Sequence, residues 1–178
     1  FLAAYLGSTG PAFTLSTACS SGARALATAR SLLALGVCDA VVAGASDSLC
    51  RLTSNGFSAL QAISQGITNP CSVHRDGLSL GEGAALFLVT RDAGGVQLTG
   101  VGESSEAHHM SAPDPEGRGA EAAMRLALAA IQPPPDRVLV DGNRAPASGL
   151  LETTLIDGDA RSLSIAAASV VAKQHRDA

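Results

Sequence analysis

The chain is poor in aromatic residues and carries no excess of positive charge. Its 178 residues include no Trp, one Tyr and four Phe, and 12 Lys and Arg against 16 Asp and Glu give a formal net charge of −4. Proteins that bind nucleic acid ordinarily combine a basic surface with aromatic side chains on which bases stack. The composition therefore gives no support to nucleic-acid binding.

Long hydrophobic runs are also missing, although the chain has enough apolar residues to form a core. Apolar stretches such as residues 40–45, 84–89 and 165–168 fall far short of the roughly 20 residues that a membrane-spanning helix needs. Hydrophobic residues nevertheless make up 46% of the chain, which is sufficient for a packed interior. We therefore expect a soluble protein with no membrane partner.

Signals for a zinc site and for secretion are absent. The chain starts at Phe1 without a basic leader, so we expect that it begins inside a longer protein. Its cysteines have no CxxC spacing, which argues against zinc, and without a secretory signal a disulfide framework is not expected. The sequence thus predicts reduced thiols and a cytoplasmic location. The cysteines are Cys19, Cys38, Cys50 and Cys71.

Alternating strand and helix patterns predict an α/β protein. Strands are predicted at residues 13–16, 39–45, 84–89, 96–101 and 137–140. Helices are predicted at residues 22–35, 52–63, 120–131 and 162–173. The continuous apolar run at 39–45 is typical of a buried parallel strand. The Gly-Gly pair at 94–95 predicts an antiparallel hairpin between the two strands that flank it.

Cys19 lies between the first predicted strand and a helix that begins near Ser21. Free backbone N–H groups and the positive end of the helix dipole favour a thiolate at such a position. The same amides can form an oxyanion hole. Free cysteines are also common as small buried side chains, so the spacing alone leaves a nucleophile and a structural thiol as alternatives.

Four sequence blocks occur in order around and after Cys19. They are TACSSG at 17–22, DAVVAGASD at 39–47, HRDGLSLGEGAALFLV at 74–89 and SSEAHHMSAPDPEG at 104–117. Together they resemble the β-ketoacyl synthases of fatty-acid and polyketide assembly, which have the thiolase fold. The resemblance implies that Cys19 accepts an acyl group from an acyl carrier protein or from coenzyme A, with no cofactor, and that its own backbone N–H is one oxyanion donor.

The same resemblance assigns further features of the family. Phe57 occupies the position of an aromatic gate beside the acyl pocket, with an ordinary core position as the alternative. The intact family forms homodimers. Its catalytic histidines lie in NAHGT and KSxxGH-like motifs, neither of which occurs in this chain, and His108 and His109 match neither of them. We therefore expect Cys19 to be acylated without carbon–carbon bond formation.

The end of the chain resembles a different family. VLVDGNR at 138–144, GDARS at 158–162 and SIAAASVVAK at 164–173 are similar to the middle of ribonuclease HII, an endonuclease of RNase H-like fold that cleaves RNA in RNA–DNA hybrids. The resemblance makes Asp141 and Asp159 ligands of Mg²⁺ or Mn²⁺. That family's other two acidic ligands, in a DExGRG motif, are absent. Turn residues are the alternative role for both aspartates.

The two resemblances predict an α/β fold class in which a partial thiolase-like fold, its N-terminal half, is followed by a partial RNase H-like α/β segment. The predicted domains are residues 1–131 and 132–178, with the junction between 124 and 136. Three functional hypotheses follow. They are a β-ketoacyl-acyl-carrier-protein synthase fragment that forms an acyl thioester on Cys19, a ribonuclease HII, and an inactive chimera of the two.

Overall fold

The computed structural model describes residues 1–69, 73–74, 76–92, 94–109, 112, 114–131, 137–141 and 151–155. Its helices are α1 (Leu2–Tyr5), α2 (Ser21–Ala34), α3 (Arg51–Ala59) and α4 (Arg118–Ala129). Its strands are β1 (Ala40–Asp47), β2 (Gly83–Thr90), β3 (Arg137–Asp141) and β4 (Leu151–Leu155). The described residues contain no helix that is long and apolar enough to cross a membrane.

The chain divides into two compact units. Unit 1 comprises Phe1–Ser48 and Glu82–Ala93, and unit 2 comprises Leu49–Gly81 and Gly94–Ala178. The segment Glu82–Ala93 returns to the first unit because β2 pairs with β1. This division does not test the predicted domain boundary between residues 131 and 132, which stays a prediction.

Helix α2 confirms the helix predicted at 22–35. Alanine and leucine favour the helix through most of its length. It ends at Gly36, which adopts a φ of 69° that glycine accommodates without strain. The amide of Gly36 bonds to Leu33 O at 3.1 Å and the amide of Val37 bonds to Leu32 O at 3.0 Å. This bond pair is a Schellman motif, which satisfies carbonyls at the helix end.

Strands β1 and β2 form an antiparallel pair in which Ala43 faces Phe87. The prediction of a parallel strand at 39–45 is therefore wrong, as is the hairpin between 84–89 and 96–101. Residues 96–101, all described, form no strand, and Gly100 in this segment lies close to the backbone of Ala127 in α4. The expected burial of β1 is limited to Ala43, the one buried residue among those of the strand.

The strand predicted at 13–16 does not form. A strand needs a hydrogen-bonded partner, and the described residues pair no other segment with this one. Only an isolated bridge between Thr17 and Cys19 is present near it. Residues 13–16 therefore enter the cysteine turn as irregular chain.

Unit 2 contains α3, which confirms helical structure within the predicted 52–63 and ends at Ala59. It also contains a close crossing of two chain segments, where Leu78 N–H bonds to Ala62 O at 2.9 Å and Ser64 N–H bonds to Leu78 O at 2.9 Å. Gly77 makes this crossing possible with a φ of 53°. A Cβ there would lie 2.6 Å from Ala62 O, too close for any other residue type without movement.

Helix α4 and strand β3 confirm the helix predicted at 120–131 and the strand predicted at 137–140. Strand β4 was not predicted and pairs in parallel with β3, with Asp141 opposite Leu155. The helix predicted at 162–173 lies outside the described residues, and the RNase H-like fold of this segment stays a prediction. Buried hydrophobic residues among those described are few: Ala29, Leu33 and Ala43.

Candidate functional site

Cys19 lies in a tight turn immediately before α2. Ala18, which precedes it, has a φ of 50°. An L-residue in this left-handed region costs roughly 1–2 kcal/mol relative to ordinary conformations. Cys19 itself is half-buried and is a free thiol, and the next residue, Ser20, is the N-cap of the helix. The structure therefore places the predicted nucleophile at a helix entrance, as its sequence position indicates.

The hydroxyl groups of the N-cap residue and of the first residue of α2 close the turn. Ser20 Oγ donates to Thr17 O at 2.7 Å and interacts with Thr17 Oγ1 at 2.9 Å. Ser21 Oγ donates to Ala18 O at 2.6 Å and accepts from Thr17 N–H at 2.9 Å. The turn from Thr17 to Ser21 is thus held by side chains as well as by the backbone bonds Ser20 N–H to Thr17 O and Ser21 N–H to Ala18 O.

The first turn of α2 has no side-chain N-cap bond, although the N–H of Ser21, its first residue, is already bonded to Ala18 O at 3.1 Å. Ser20 is the N-cap residue, yet its hydroxyl makes no bond to a helix N–H because it donates to Thr17 O instead. The first-turn N–H groups of a helix have no intrahelical partner and carry the positive end of the dipole. Such N–H groups can stabilise the negative oxygen that forms when a sulfur nucleophile attacks a carbonyl.

Phe57 lies on α3 and is half-buried. Its carbonyl oxygen accepts from Ala62 N–H at 3.0 Å, which closes the turn after the helix. Phe57 belongs to unit 2 and Cys19 to unit 1. The role of Phe57 as an aromatic gate therefore stays a prediction.

Cys50 is a second thiol with a distinctive environment, which sequence reasoning missed. It is exposed and caps α3, accepting from Thr53 N–H at 3.5 Å, and it lies 3.1 Å from Thr53 Oγ1. The side-chain and backbone hydrogen bonds of Thr53 lower the pKa of the Cys50 thiol. A threonine three residues after a cysteine at a helix start is the signal that would have indicated it.

Asp114 organises the last of the four motif blocks. It is buried, with 6% of its surface exposed. The Asp114 carboxylate accepts from Glu116 N–H at 3.0 Å and pairs with Arg118 Nε at 2.7 Å. The backbone N–H of Asp114 donates to the carboxylate of Glu106 at 2.8 Å. The bond from Glu116 N–H, with the charges of Arg118 and His108, holds the pKa of Asp114 below its usual range, although burial opposes the shift.

This carboxylate fixes the entry to α4 and is already satisfied by its neighbours. Residues 114–119 read DPEGRG and are superficially similar to the metal-binding DExGRG motif. In the structure, however, Asp114 forms a turn and an ion pair with Arg118 at the start of α4. His108 and His109 are both exposed. Neither His108 nor His109 belongs to the compact unit that contains Cys19.

The predicted metal ligands are only partly within the described structure. Asp141 ends β3, whereas Asp159 lies outside the described residues. Among the residues that the structure describes, no group of three or more His, Cys, Asp or Glu side chains could hold a metal ion. The DExGRG motif that carries two more of that family's ligands does not occur in this sequence, and the described residues do not form a two-metal centre.

Comparison with known proteins identifies relatives of the chain. A family model for the β-ketoacyl synthase N-terminal domain matches residues 1–94. The 3-oxoacyl-[acyl-carrier-protein] synthase 2 of Rhizobium meliloti (strain 1021) is 36% identical over 135 residues, covering 67% of this chain and 32% of that protein. The Staphylococcus aureus protein of the same name is 30% identical over 168 residues, covering 85% of this chain and 42% of that protein. The chain thus spans about a third to two fifths of these relatives' length.

Solved structures of ketosynthases share its fold. The ketosynthase ApeO from Xenorhabdus doucetiae, solved in complex with its chain length factor ApeC, is 44% identical with a TM-score of 0.72, covering 83% of this chain and 38% of that one. The type II polyketide ketosynthase of the AntDE–AntF complex, solved with its acyl carrier protein, is 26% identical with a TM-score of 0.67, covering 79% and 39%.

These matches confirm the resemblance to ketosynthases and their thiolase-like fold. None of the proteins named above is a ribonuclease, so the resemblance to ribonuclease HII has no support from them and stays a prediction. The family model covers more than half of the chain, and it includes the turn that carries Cys19. The chain therefore belongs to the β-ketoacyl synthase family.

Proposed function

We propose that Cys19 is the acyl-accepting nucleophile of this chain. The Cys19 thiolate attacks the carbonyl carbon of an acyl thioester, and the negative oxygen that forms is stabilised by the backbone N–H of Cys19 itself together with N–H groups of the first turn of α2. A carbon–sulfur bond to Cys19 forms as the bond to the carrier's sulfur breaks, and the carrier leaves as a thiolate that takes up a proton from solvent. The observation that carries this proposal is the left-handed turn at Ala18, which presents Cys19 at the uncapped entrance of a helix.

The chain as it stands is proposed to stop at the acyl thioester. Decarboxylation of a malonyl thioester builds carbanion charge, and the family stabilises that charge with two neutral histidines that donate hydrogen bonds. The sequence contains neither NAHGT nor a KSxxGH-like segment. Condensation therefore lacks the imidazoles that it needs, although the first half-reaction does not require them in the same way.

An acyl carrier protein is the proposed carrier of the acyl and malonyl groups. The relatives' names support this partner, since the R. meliloti protein is an acyl-carrier-protein synthase and the AntDE–AntF structure holds an acyl carrier protein with its ketosynthase. A homodimer and a cytoplasmic location complete the proposal for the protein to which these residues belong. The acyl transfer itself uses only the thiol and backbone amides and needs no cofactor.

Nuclease activity is not the function that we propose. The end of β3 at Asp141 matches a strand-end aspartate, but the other predicted ligand lies outside the described residues and two more are absent from the sequence. The remaining alternative to acyl transfer is an inactive chimera. The two hypotheses differ in whether Cys19 reacts with an acyl thioester.

Mass spectrometry of the intact chain after incubation with an acyl thioester separates these hypotheses. We expect one acyl group per chain, on the tryptic peptide that contains Cys19. The Cys19→Ala variant should lose at least about nine tenths of the adduct, since removing a covalent nucleophile abolishes its intermediate. The Cys50→Ala variant is the matched control, because it removes a thiol whose pKa is lowered from another helix entrance. An unmodified wild-type chain, or an adduct that persists in Cys19→Ala, contradicts the proposal.

A further inference from the structure

We propose that Ser21 is a positioning residue for Cys19, an inference that rests on the acyl-transfer function proposed above. Ser21 Oγ donates to Ala18 O at 2.6 Å and accepts from Thr17 N–H at 2.9 Å. The first bond is to the carbonyl of Ala18 itself and the second is to the amide of Thr17, so the two bonds bracket Thr17 and Ala18. The φ of Ala18 is 50°, a conformation that alanine rarely adopts. One hydroxyl group thus braces the segment that contains the strained residue.

The bond to Ala18 O also sets the direction of the Cys19 N–H. The Ala18 carbonyl and the Cys19 amide belong to one planar peptide group. A hydrogen bond that fixes the carbonyl therefore fixes the amide, which points the opposite way in a trans peptide. The Cys19 N–H is a proposed oxyanion donor. Ser21 therefore sets the orientation of this donor without contacting the substrate.

Ser20 does not duplicate this contact. Its hydroxyl interacts with Thr17 O at 2.7 Å and with Thr17 Oγ1 at 2.9 Å, so both of its described bonds end on Thr17. The Ala18 carbonyl is also bonded by the backbone N–H of Ser21, at 3.1 Å. Among the described side chains that close the turn, Ser21 is the one that holds the peptide group shared by Ala18 and Cys19.

Two reactions of the Cys19 thiol distinguish the orientation of the Cys19 N–H from the accessibility of the thiol. Acyl transfer passes through a negative tetrahedral oxygen that needs an aligned N–H donor. Alkylation by iodoacetamide needs only an accessible thiolate. Loss of the Ser21 hydroxyl should therefore slow acylation of Cys19 and leave its alkylation almost unchanged.

The test measures both rates at the Cys19 peptide by mass spectrometry in the full chain. For Ser21→Ala we expect acylation to fall about tenfold, the worth of roughly one net hydrogen bond, with alkylation within about twofold of wild type. Ser21→Thr keeps the hydroxyl and should retain wild-type acylation. Ser31→Ala is the matched control, because Ser31 Oγ donates to Ala27 O at 3.1 Å in the same helix, and it should change neither rate.

A rescue variant tests the role of Ala18 directly. Glycine adopts a positive φ without strain, so Ala18→Gly combined with Ser21→Ala should recover acylation to within about threefold of wild type. Alkylation of Cys38, which lies beyond the other end of α2, reports general loosening of unit 1.

Each outcome decides the matter. The positioning role is wrong if Ser21→Ala has the wild-type ratio of acylation rate to alkylation rate at Cys19. It is also wrong if the double variant does not recover acylation, or if Cys38 is alkylated faster in Ser21→Ala than in wild type. In each of these cases the proposed function still stands. A wild-type chain that is alkylated but not acylated at Cys19 would overturn the proposed function, and the inference with it.

Discussion

Single buried side chains set the local geometry of this chain, and Asp114 is the clearest case. Its carboxylate has 4% of its side-chain surface exposed, whereas its partner Arg118 has 70% exposed. Asp114 is thus the buried member of the ion pair, and Arg118 contacts it from the solvent-exposed surface. The loop before α4 depends on the acid remaining ionised.

Protonation of Asp114 should release this loop. Because the pKa of Asp114 is lowered in the folded chain, its contribution to stability is present above the unfolded pKa of about 3.9 and is lost as pH falls through the lower folded value. In an NMR titration from pH 7 to 2, the amide signals of Glu116 and Gly117 should shift in that acidic window. Asp114→Asn should abolish this transition and weaken the loop at neutral pH.

An exposed ion pair provides the control for that titration. Asp39 bonds to Arg91 at 2.7 Å but is fully exposed, and Arg91 also donates to the carbonyls of Leu33 and Cys38 at 2.9 and 3.0 Å. Exposed pairs contribute little to stability, so Asp39→Asn should leave both the titration and the fold nearly unchanged. Equal effects from the two substitutions would contradict the role assigned to the buried carboxylate.

The position of Cys19 at a helix entrance could be predicted from the sequence, whereas the hydrogen bonds that hold its turn could not. The residues TACSSG place Cys19 at a helix entrance by pattern alone. The positive φ of Ala18 and the two bonds of Ser21 depend on how the turn closes in three dimensions. Two adjacent serines give no sign of which hydroxyl bonds to which carbonyl, since both are also ordinary residues for a helix start.

Within secondary-structure elements, Gly44 is the residue on which the β1–β2 pair depends. Gly44 lies opposite Leu86. A Cβ at this position would lie 2.9 Å from Leu86 Cα and would collide with the Ala85 carbonyl oxygen. The absence of a side chain is therefore what lets the two strands approach here.

Gly44→Ala should weaken the sheet of unit 1. We expect a loss of about 1–3 kcal/mol, the usual cost of forcing extra volume into a tight contact, seen as faster hydrogen exchange at the amides of β1 and β2. Gly83→Ala is the matched control at the start of β2, where a Cβ meets nothing within 4 Å. If both variants exchange at the wild-type rate, close packing at Gly44 is not needed for the pair.

Elements were more predictable than their pairing. The apolar run at 39–45 indicated a strand, and the alanine- and leucine-rich segment at 22–35 indicated a helix, because both signals are local. The partner of β1 is a strand some forty residues later, and no local pattern encodes that choice. The missed β4 has the sequence LETTL, in which two threonines were the only strand-favouring signal.

Across the whole molecule, much apolar surface is exposed. Leu88 and Leu86 on β2 have 70% and 56% of their surface exposed, and Val42 on β1 has 42% exposed.

The chain matches only 32% and 42% of the length of its curated relatives. The match that shows its family membership lies in residues 1–94.

The most direct measurement of this account follows the acyl-loaded chain after a malonyl thioester with a labelled carboxylate is added. We predict that the acyl group stays on Cys19 and that labelled carbon dioxide does not exceed the amount released with Cys19→Ala, because neither histidine motif proposed to stabilise the carbanion occurs in these 178 residues. Loss of the Cys19 adduct together with release of labelled carbon dioxide and appearance of a β-ketoacyl thioester would contradict it.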